Sequence, residues 1–221
     1  MNNGVFALLP HRGVDAGKSR LASIIDAATR SALNRWLLER TIHVVSAWLG
    51  NATRCVVVSP CARTLALARE AGTQALLEPA TVQGLNAALS QGAAHAAASG
   101  AQRLLILPCD LPYLDVAALD ALISRSNTAA EMAIASDRHG TGTNALLVSA
   151  SMQKFAFGVN SYARHAAQAA TLGMRVVPIR LASLAFDLDT ADDYAEWLNS
   201  DQALPAFIRG PSPEGDLHSR A

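Results

Sequence analysis

"RLLILPCDLP", residues 103–112, decides the fold. Leu104 to Leu107 are apolar without a break, and an acid, Asp110, follows the run. A strand with one wet face alternates apolar and polar residues. An unbroken apolar run needs cover on both faces, as parallel strands of α/β proteins have.

Working outward, the same pattern returns. Upstream lie a helix in "GLNAALSQGAAHAAASGA" (84–101), a short strand in "QALLE" (74–78), a helix in "ARTLALAREAG" (62–72), a strand in "TRCVVVSP" (53–60), one or two helices over 19–50 ending at Gly50, and a strand in "GVFALLP" (4–10). Downstream, "LDVAALDALISRS" (114–126) reads as a helix opened by Asp115. Strands and helices alternate, which predicts a parallel sheet with helices on both faces. The second half differs. "EMAIASD" (131–137) and "TNALLVS" (143–149) are strands joined by a glycine-rich turn, so a hairpin or a change of strand direction is expected. A helix over 161–172, a strand over 174–180 and a last helix over 191–199 complete the pattern. There is no internal repeat. Residues 1–200 read as one domain and the Pro/Gly-rich stretch 201–221 as a flexible tail.

The totals narrow the function. The 221 residues carry no net charge, which argues against nucleic acid as partner, and 51% are hydrophobic, ample for a core. Cys55, Cys61 and Cys109 are scattered without a CxxC pair, which fits a reduced cytoplasm and no thiolate metal site. The apolar run near the start is too short for a signal peptide, and no segment is long enough to span a membrane, so a cytoplasmic protein is expected. The histidines show no zinc-ligand spacing, and His165 is given no catalytic role. Trp36, Leu37 and Leu38 read as core, with an interface as the alternative; monomer and homodimer both stay open.

"GVDAGKSRL" (13–21) holds a Gly-Lys-Ser after the first strand. A P-loop needs a glycine at position 12, where Arg12 stands, so the spacing fails. The loop still leaves the carboxyl end of a strand, where open α/β sheets bind ligands, and it is read as entering a helix whose positive dipole end favours anions. Arg12, Lys18 and Arg20 around two glycines suit a triphosphate. The ordinary alternative is solvated charge, with Ser19 as a helix N-cap.

Carboxylates end two other runs: Asp110 in "LLILPCDLP", and Asp187 with Asp189 in "LAFDLDTADD". Residues two apart in extended chain point to one side, so Asp187 and Asp189 can face one ion. Mg²⁺ takes such oxygens and completes its octahedron from substrate phosphates. The alternative is helix capping by Asp110 and by Asp189 or Thr190. "DRHGTGTN" (137–144) could offer N–H and hydroxyl donors to an anion or be a plain hairpin turn. "FGVNSYARH" (157–165) places Ser161 at a helix start, where an anion could rest or Ser161 could simply cap. Gln83, Gly84 and Asn86 open a helix in the nucleotide half and read as base or ribose contacts.

"LLPHR" with "AGKSRL", "GLNAAL", "LILPCDLP", "DRHGTGTNAL", "FAFGVNSYARH" and "FDLDT" occur in this order across residues 8–190. Together they resemble the phospholactate guanylyltransferase family (CofC/FbiD), which acts in assembly of the deazaflavin coenzyme F420. The resemblance implies a three-layer α/β/α nucleotidyltransferase fold with a mostly parallel, mixed sheet. It implies transfer of GMP from GTP onto the phosphate of 2-phospho-L-lactate, phosphoenolpyruvate or 3-phospho-D-glycerate, with release of pyrophosphate and hand-over of an unstable product to the next enzyme. Asp110, Asp187 and Asp189 then match the metal-binding acids. Thr143, Gly158 and Ser161 match positions that hold the acceptor's carboxylate. Members often show Pro-Val-Lys after the first strand; here it is Pro10-His11-Arg12.

Such a reaction needs little acid–base help, because a phosphate monoester is mostly dianionic at neutral pH. Its obstacle is repulsion between polyanions, which Mg²⁺ at the three aspartates and the cations Arg12, Lys18 and Arg20 at the pyrophosphate would offset; Lys18, Arg20 and Asp110 are the expected catalytic groups. The rival readings are a sugar or molybdenum-cofactor type nucleotidyltransferase and a non-catalytic nucleotide-binding module.

Overall fold

The computed structural model describes residues 3–79, 84–200 and 204–209. Seven strands, β1 (Val5–Pro10), β2 (Cys55–Ser59), β3 (Gln74–Leu77), β4 (Arg103–Ile106), β5 (Glu131–Ala135), β6 (Ala145–Ser149) and β7 (Arg175–Ile179), form one sheet in the order β3-β2-β1-β4-β6-β5-β7. All pairs are parallel except those of β6, which runs against both β4 and β5. The sheet is therefore mixed, and β5–β6 is the hairpin that the glycine-rich turn suggested.

Residue alternation on the strands divides the core. Val5, Ala7 and Leu9 point into one buried cluster, with Leu38, Val45 and Trp48 of α1 (Ala27–Leu49) and Leu119 and Leu122 of α4 (Val116–Arg125). Phe6 and Leu8 point into the other, with Leu89 and Ala93 of α3 (Leu85–Ala98) and Ala169 of α5 (Ser161–Thr171). Helix α2 (Ala62–Glu70) joins the first layer through Ala68. These are the three layers expected. The alanines of α3 let it sit close: a Cβ on Gly92 would come within 2.9 Å of Val58.

A third cluster lies outside the sheet. Leu21, Leu33, Leu37, Phe186, Leu188, Tyr194 and Trp197 pack together, and Trp36 stacks at a tilt 5.4 Å from Trp197. Trp36–Leu38 are thus covered by this chain's own residues. The cluster anchors the segment 186–190 and α7 (Ala191–Leu198) beside the loop after β1, while Leu184 of the short helix α6 (Ala182–Ala185) packs in the first cluster. Leu204 and, in the one-turn α8 (Ala206–Arg209), Ile208 pack on it too. No described helix is long and apolar enough to cross a membrane.

Two boundaries depart from the sequence reading. Helix α1 starts at Ala27 rather than near Ser19, because Asp26 caps it by accepting from Thr29 N at 2.7 Å, and residues 19–21 make only a 3-10 turn. The strand read as 103–110 ends at Ile106; Leu107 N still donates to Leu8 O of β1 at 3.0 Å, and Pro108–Asp110 continue as connecting chain.

Candidate active site

With β6 reversed, the carboxyl ends of six strands and the amino end of β6 share one edge of the sheet. From β1 the chain builds outward to β3, then returns to lay β4 on the other side of β1. This reversal is the switch point at which open α/β sheets bind ligands.

The loop after β1 is tied down from several sides. Gly13 N donates to His11 Nδ1 at 3.1 Å, Val14 N donates to Thr64 Oγ1 at 3.1 Å, and Asn34 Nδ2 donates to Val14 O at 3.2 Å. Burial, helped by the Lys18 charge, lowers the His11 pKa to about 4, so its imidazole is neutral and free to accept. Gly13 has φ 134°, and a Cβ there would stand 3.0 Å from Cys61 Cβ. The loop does not enter a helix directly. Lys18 itself takes the left-handed conformation, φ 51° and ψ 32°, which costs a non-glycine residue roughly 1–2 kcal/mol. Consequently the expected dipole of a helix start is missing here, and Ser19 caps no α-helix. What the loop delivers instead is one ammonium.

Lys18 Nζ lies 2.7 Å from Asp189 Oδ1 and 3.8 Å from Asp110 Oδ2. Leu188 N donates to Asp110 O at 2.9 Å, fastening the segment 186–189 to the chain after β4. Phe186 and Leu188 are buried in the third cluster, so the alternation turns Asp187 and Asp189 the other way. Asp110 and Asp189 therefore meet at the lysine, and Asp187 lies near enough for its charge to be felt at Asp110. Of the capping alternatives, Asp110 gives way to Asp115, which caps α4 by accepting from Ala118 N at 2.7 Å, while Thr190 does cap the last helix, forming the capping box of α7 with Asp193 and leaving Asp189 out of it. Burial pushes the Asp110 carboxyl up to about 6; Lys18 opposes this, and the charges of Asp189 and Asp187 add to it.

Three carboxylates against one ammonium leave an excess of negative charge. Among the described residues, no group of three or more His, Cys, Asp or Glu side chains is close enough to hold an ion together. Hard oxygens already sharing a cation still fit Mg²⁺, which takes one or two carboxylates, keeps waters and binds substrate phosphates.

Of the other expected cations, Arg12 and Arg20 are exposed and make no ion pair among the described residues. Arg12 lines a cavity of about 820 Å³ with Pro10, His11, Val58, Glu78 and Gly84. Gly84 begins α3 with φ 110° and donates its N–H to Glu78 Oε1 at 3.0 Å. Asn86, expected at a base or ribose, is engaged by the chain itself. Its amide is spent on one backbone residue, donating to Phe157 O at 3.0 Å and accepting from Phe157 N at 2.9 Å. Gln83 lies outside the described residues.

That clamp holds the segment that leads to Gly158 and Ser161. Asn160, left-handed at φ 55°, precedes α5, and Ser161 is its first residue rather than its cap. Tyr162 N donates to Thr141 O at 3.0 Å, joining the helix start to the β5–β6 turn. This turn is no open anion cradle: Asp137 takes the Thr141 N–H at 2.9 Å and its backbone takes that of Gly140. Thr143 and Ser161 are both buried, and Thr143 reaches His165, one turn after Ser161 on α5. His165 Nδ1 stands 3.1 Å from Thr143 Oγ1, and its Nε2 accepts from Ala156 N at 3.1 Å. The neighbouring Asn144 reaches the acids, with Nδ2 3.4 Å from Asp187 Oδ1. Neither His165 nor Asn144 had a role in the sequence reading. Only an unusually polar pair, Thr143-Asn144, at the mouth of an apolar strand could have signalled the latter.

The family described as "Guanylyl transferase CofC like" matches residues 5–203. The chain belongs to this family. It is 37% identical to a phosphoenolpyruvate guanylyltransferase of Conexibacter woesei, across 97% of this chain and 93% of that protein. It is also 37% identical to a 3-phospho-D-glycerate guanylyltransferase of Phenylobacterium zucineum, across 86% and 88%. Among solved structures, the fold resembles a nucleotidyl transferase from Methanothermobacter, with a TM-score of 0.60 at 17% identity over 87% of this chain and 95% of that one. It also resembles 4-diphosphocytidyl-2C-methyl-D-erythritol synthase, with a TM-score of 0.56 at 19% identity over 88% and 96%. The CofC-like chain is thus a nucleotidyltransferase enzyme by family.

Proposed function

We propose that this CofC-like enzyme transfers GMP from GTP onto the phosphate of a small three-carbon phospho-acid, in the assembly of coenzyme F420. The observation that carries the reading is Lys18 shared between Asp110 and Asp189 at the sheet's switch point. It provides an anion-handling edge with a cation already among carboxylates, in a chain whose relatives are named for guanylyl transfer to phosphoenolpyruvate and 3-phospho-D-glycerate.

The nucleoside fits the cavity over Val58 and Gly84, its phosphates running toward Arg12 and Lys18. Asp110 and Asp189 would hold Mg²⁺, with the charge of Asp187 nearby, and the ion when bound would offset the charge on the phosphates. Lys18 and the exposed Arg12 and Arg20 stabilise charge that grows on the leaving pyrophosphate. Thr143, Gly158 and Ser161 orient the acceptor's carboxylate, so that its phosphate oxygen lies in line with the α-phosphorus. That oxygen forms the new P–O bond as the bond to the bridging β-oxygen breaks. Pyrophosphate departs with the electron pair, and no proton need move.

The test is pyrophosphate release with GTP, CTP or ATP, each with Mg²⁺, against phosphoenolpyruvate, 3-phospho-D-glycerate, 2-phospho-L-lactate and a hexose 1-phosphate. Release with GTP and one of the three phospho-acids is expected. Turnover of the hexose phosphate alone, or nucleotide binding without turnover, overturns the reading.

A further inference from the structure

Thr143 is 5% exposed and its hydroxyl has a single neighbour among the described residues, Nδ1 of His165. A hydroxyl can donate or accept there, and the choice is made at the far side of the ring. Nε2 faces the Ala156 N–H at 3.1 Å, and an amide N–H can only donate. Nε2 must therefore carry the lone pair, which places the ring's one proton on Nδ1. In the other tautomer two donors would meet at Ala156. With Nδ1–H donating to Thr143 Oγ1, the threonine's own proton is left with no acceptor among the described residues.

The ring has no freedom to escape this arrangement. His165 is fully buried in α5, and Phe157 packs edge-on against it at 4.7 Å. Phe157 is in turn fixed at its backbone by Asn86 of α3.

We infer that His165 is a positioning residue that locks Thr143 as a hydrogen-bond donor, and that the unspent hydroxyl proton is the feature selecting an anionic oxygen, the acceptor's carboxylate, at this site. This rests on the acceptor placement proposed above, which the closing experiment tests separately.

The tautomer is read first on the unmodified protein, by ¹⁵N NMR of the histidine rings. A pyrrole-type Nδ1 and a pyridine-type Nε2 for His165 are expected; the reverse overturns the inference whatever the kinetics. Kinetics follow with GTP and phosphoenolpyruvate on Thr143→Val, His165→Phe and the double variant. Losing a hydrogen bond to a charged group costs about tenfold or more, so each single variant should raise the KM for phosphoenolpyruvate by that factor with the KM for GTP nearly unchanged. The double variant should be no worse than Thr143→Val, because both remove one hydrogen bond. His165→Asn, which keeps an N–H near the Nδ1 position, should recover most of the loss. Multiplying effects, or a Thr143→Val loss that His165→Phe does not share, overturn the inference and leave the acceptor site standing. No change in either single variant overturns the acceptor placement and the inference together.

Discussion

Acid should weaken this fold through His165, by an amount that follows from its surroundings. Burial first, and then the positive charge of Arg164, lower its pKa from 6.5 to about 4. Protonation would also set an imidazolium N–H against the Ala156 N–H that Nε2 now accepts. A group whose folded pKa is depressed contributes stability that is present above its unfolded pKa and is lost as pH falls toward the folded one. The window therefore runs from pH 6.5 down to about 4. Near neutrality and above, the contribution is intact; two or so pH units lower, inside that window, at most about 2 kcal/mol has gone.

Wild-type protein alone cannot isolate this, because His11 is lowered in the same direction. The comparison is denaturant unfolding of wild type and His165→Phe, each under mildly alkaline and mildly acidic conditions. Groups common to both proteins cancel. The wild type should lead at the higher pH through its two ring hydrogen bonds, and its lead should shrink by about 1–2 kcal/mol at the lower pH. A lead that stays constant between the two conditions would refute the neutral, accepting histidine, and the locked threonine with it.

Replacing Lys18 by Gly should lower kcat/KM for GTP by about 10²–10³-fold while the melting temperature stays within a few degrees, since the loss of ion pairs is partly offset by a residue without a Cβ at a left-handed position; steady-state pyrophosphate release and calorimetry check both halves. Asp110→Asn should abolish turnover in a folded protein, and more than a tenth of wild-type pyrophosphate release would exclude a metal-ligand role. Asn86→Leu removes two hydrogen bonds from the Phe157 backbone, so it should cost about 1–3 kcal/mol in denaturant unfolding and raise the KM for the phospho-acid more than that for GTP. The opposite split would return Asn86 to the nucleotide.

What local pattern carries was legible in the sequence. The alternating runs placed the seven strands, the first four as a parallel series and the next two as a hairpin or change of direction, and the two-residue period of "FDLDT" put Asp187 and Asp189 on one side, which the burial of Phe186 and Leu188 agrees with. What failed depended on distant partners. Asn86 at a helix start looks free to bind a ligand, but its partner is the backbone 71 residues away. His165 looks idle until Thr143 and Ala156 are set on either side of it. The start of α1 was misplaced because Ser19 and Asp26 are both good caps, and only the left-handed turn at Lys18 decides against the first.

The reversed strand explains how one edge serves two reactants. Six strands bring their carboxyl ends to it, whereas β6 brings its amino end, and with it the pair Thr143-Asn144. Thr143 turns to His165 and the start of α5, and Asn144 turns to Asp187. Two adjacent residues thus tie the cluster proposed for the acceptor to the acids proposed to face the nucleotide's phosphates. Had β6 run parallel to β4, this pair would lie at the far edge of the sheet. The carboxylates and Lys18 would still meet, but nothing on β6 would hold a second anion against the first. An acceptor that is already charged needs only to be held in line, and the reversal of one strand supplies the hold.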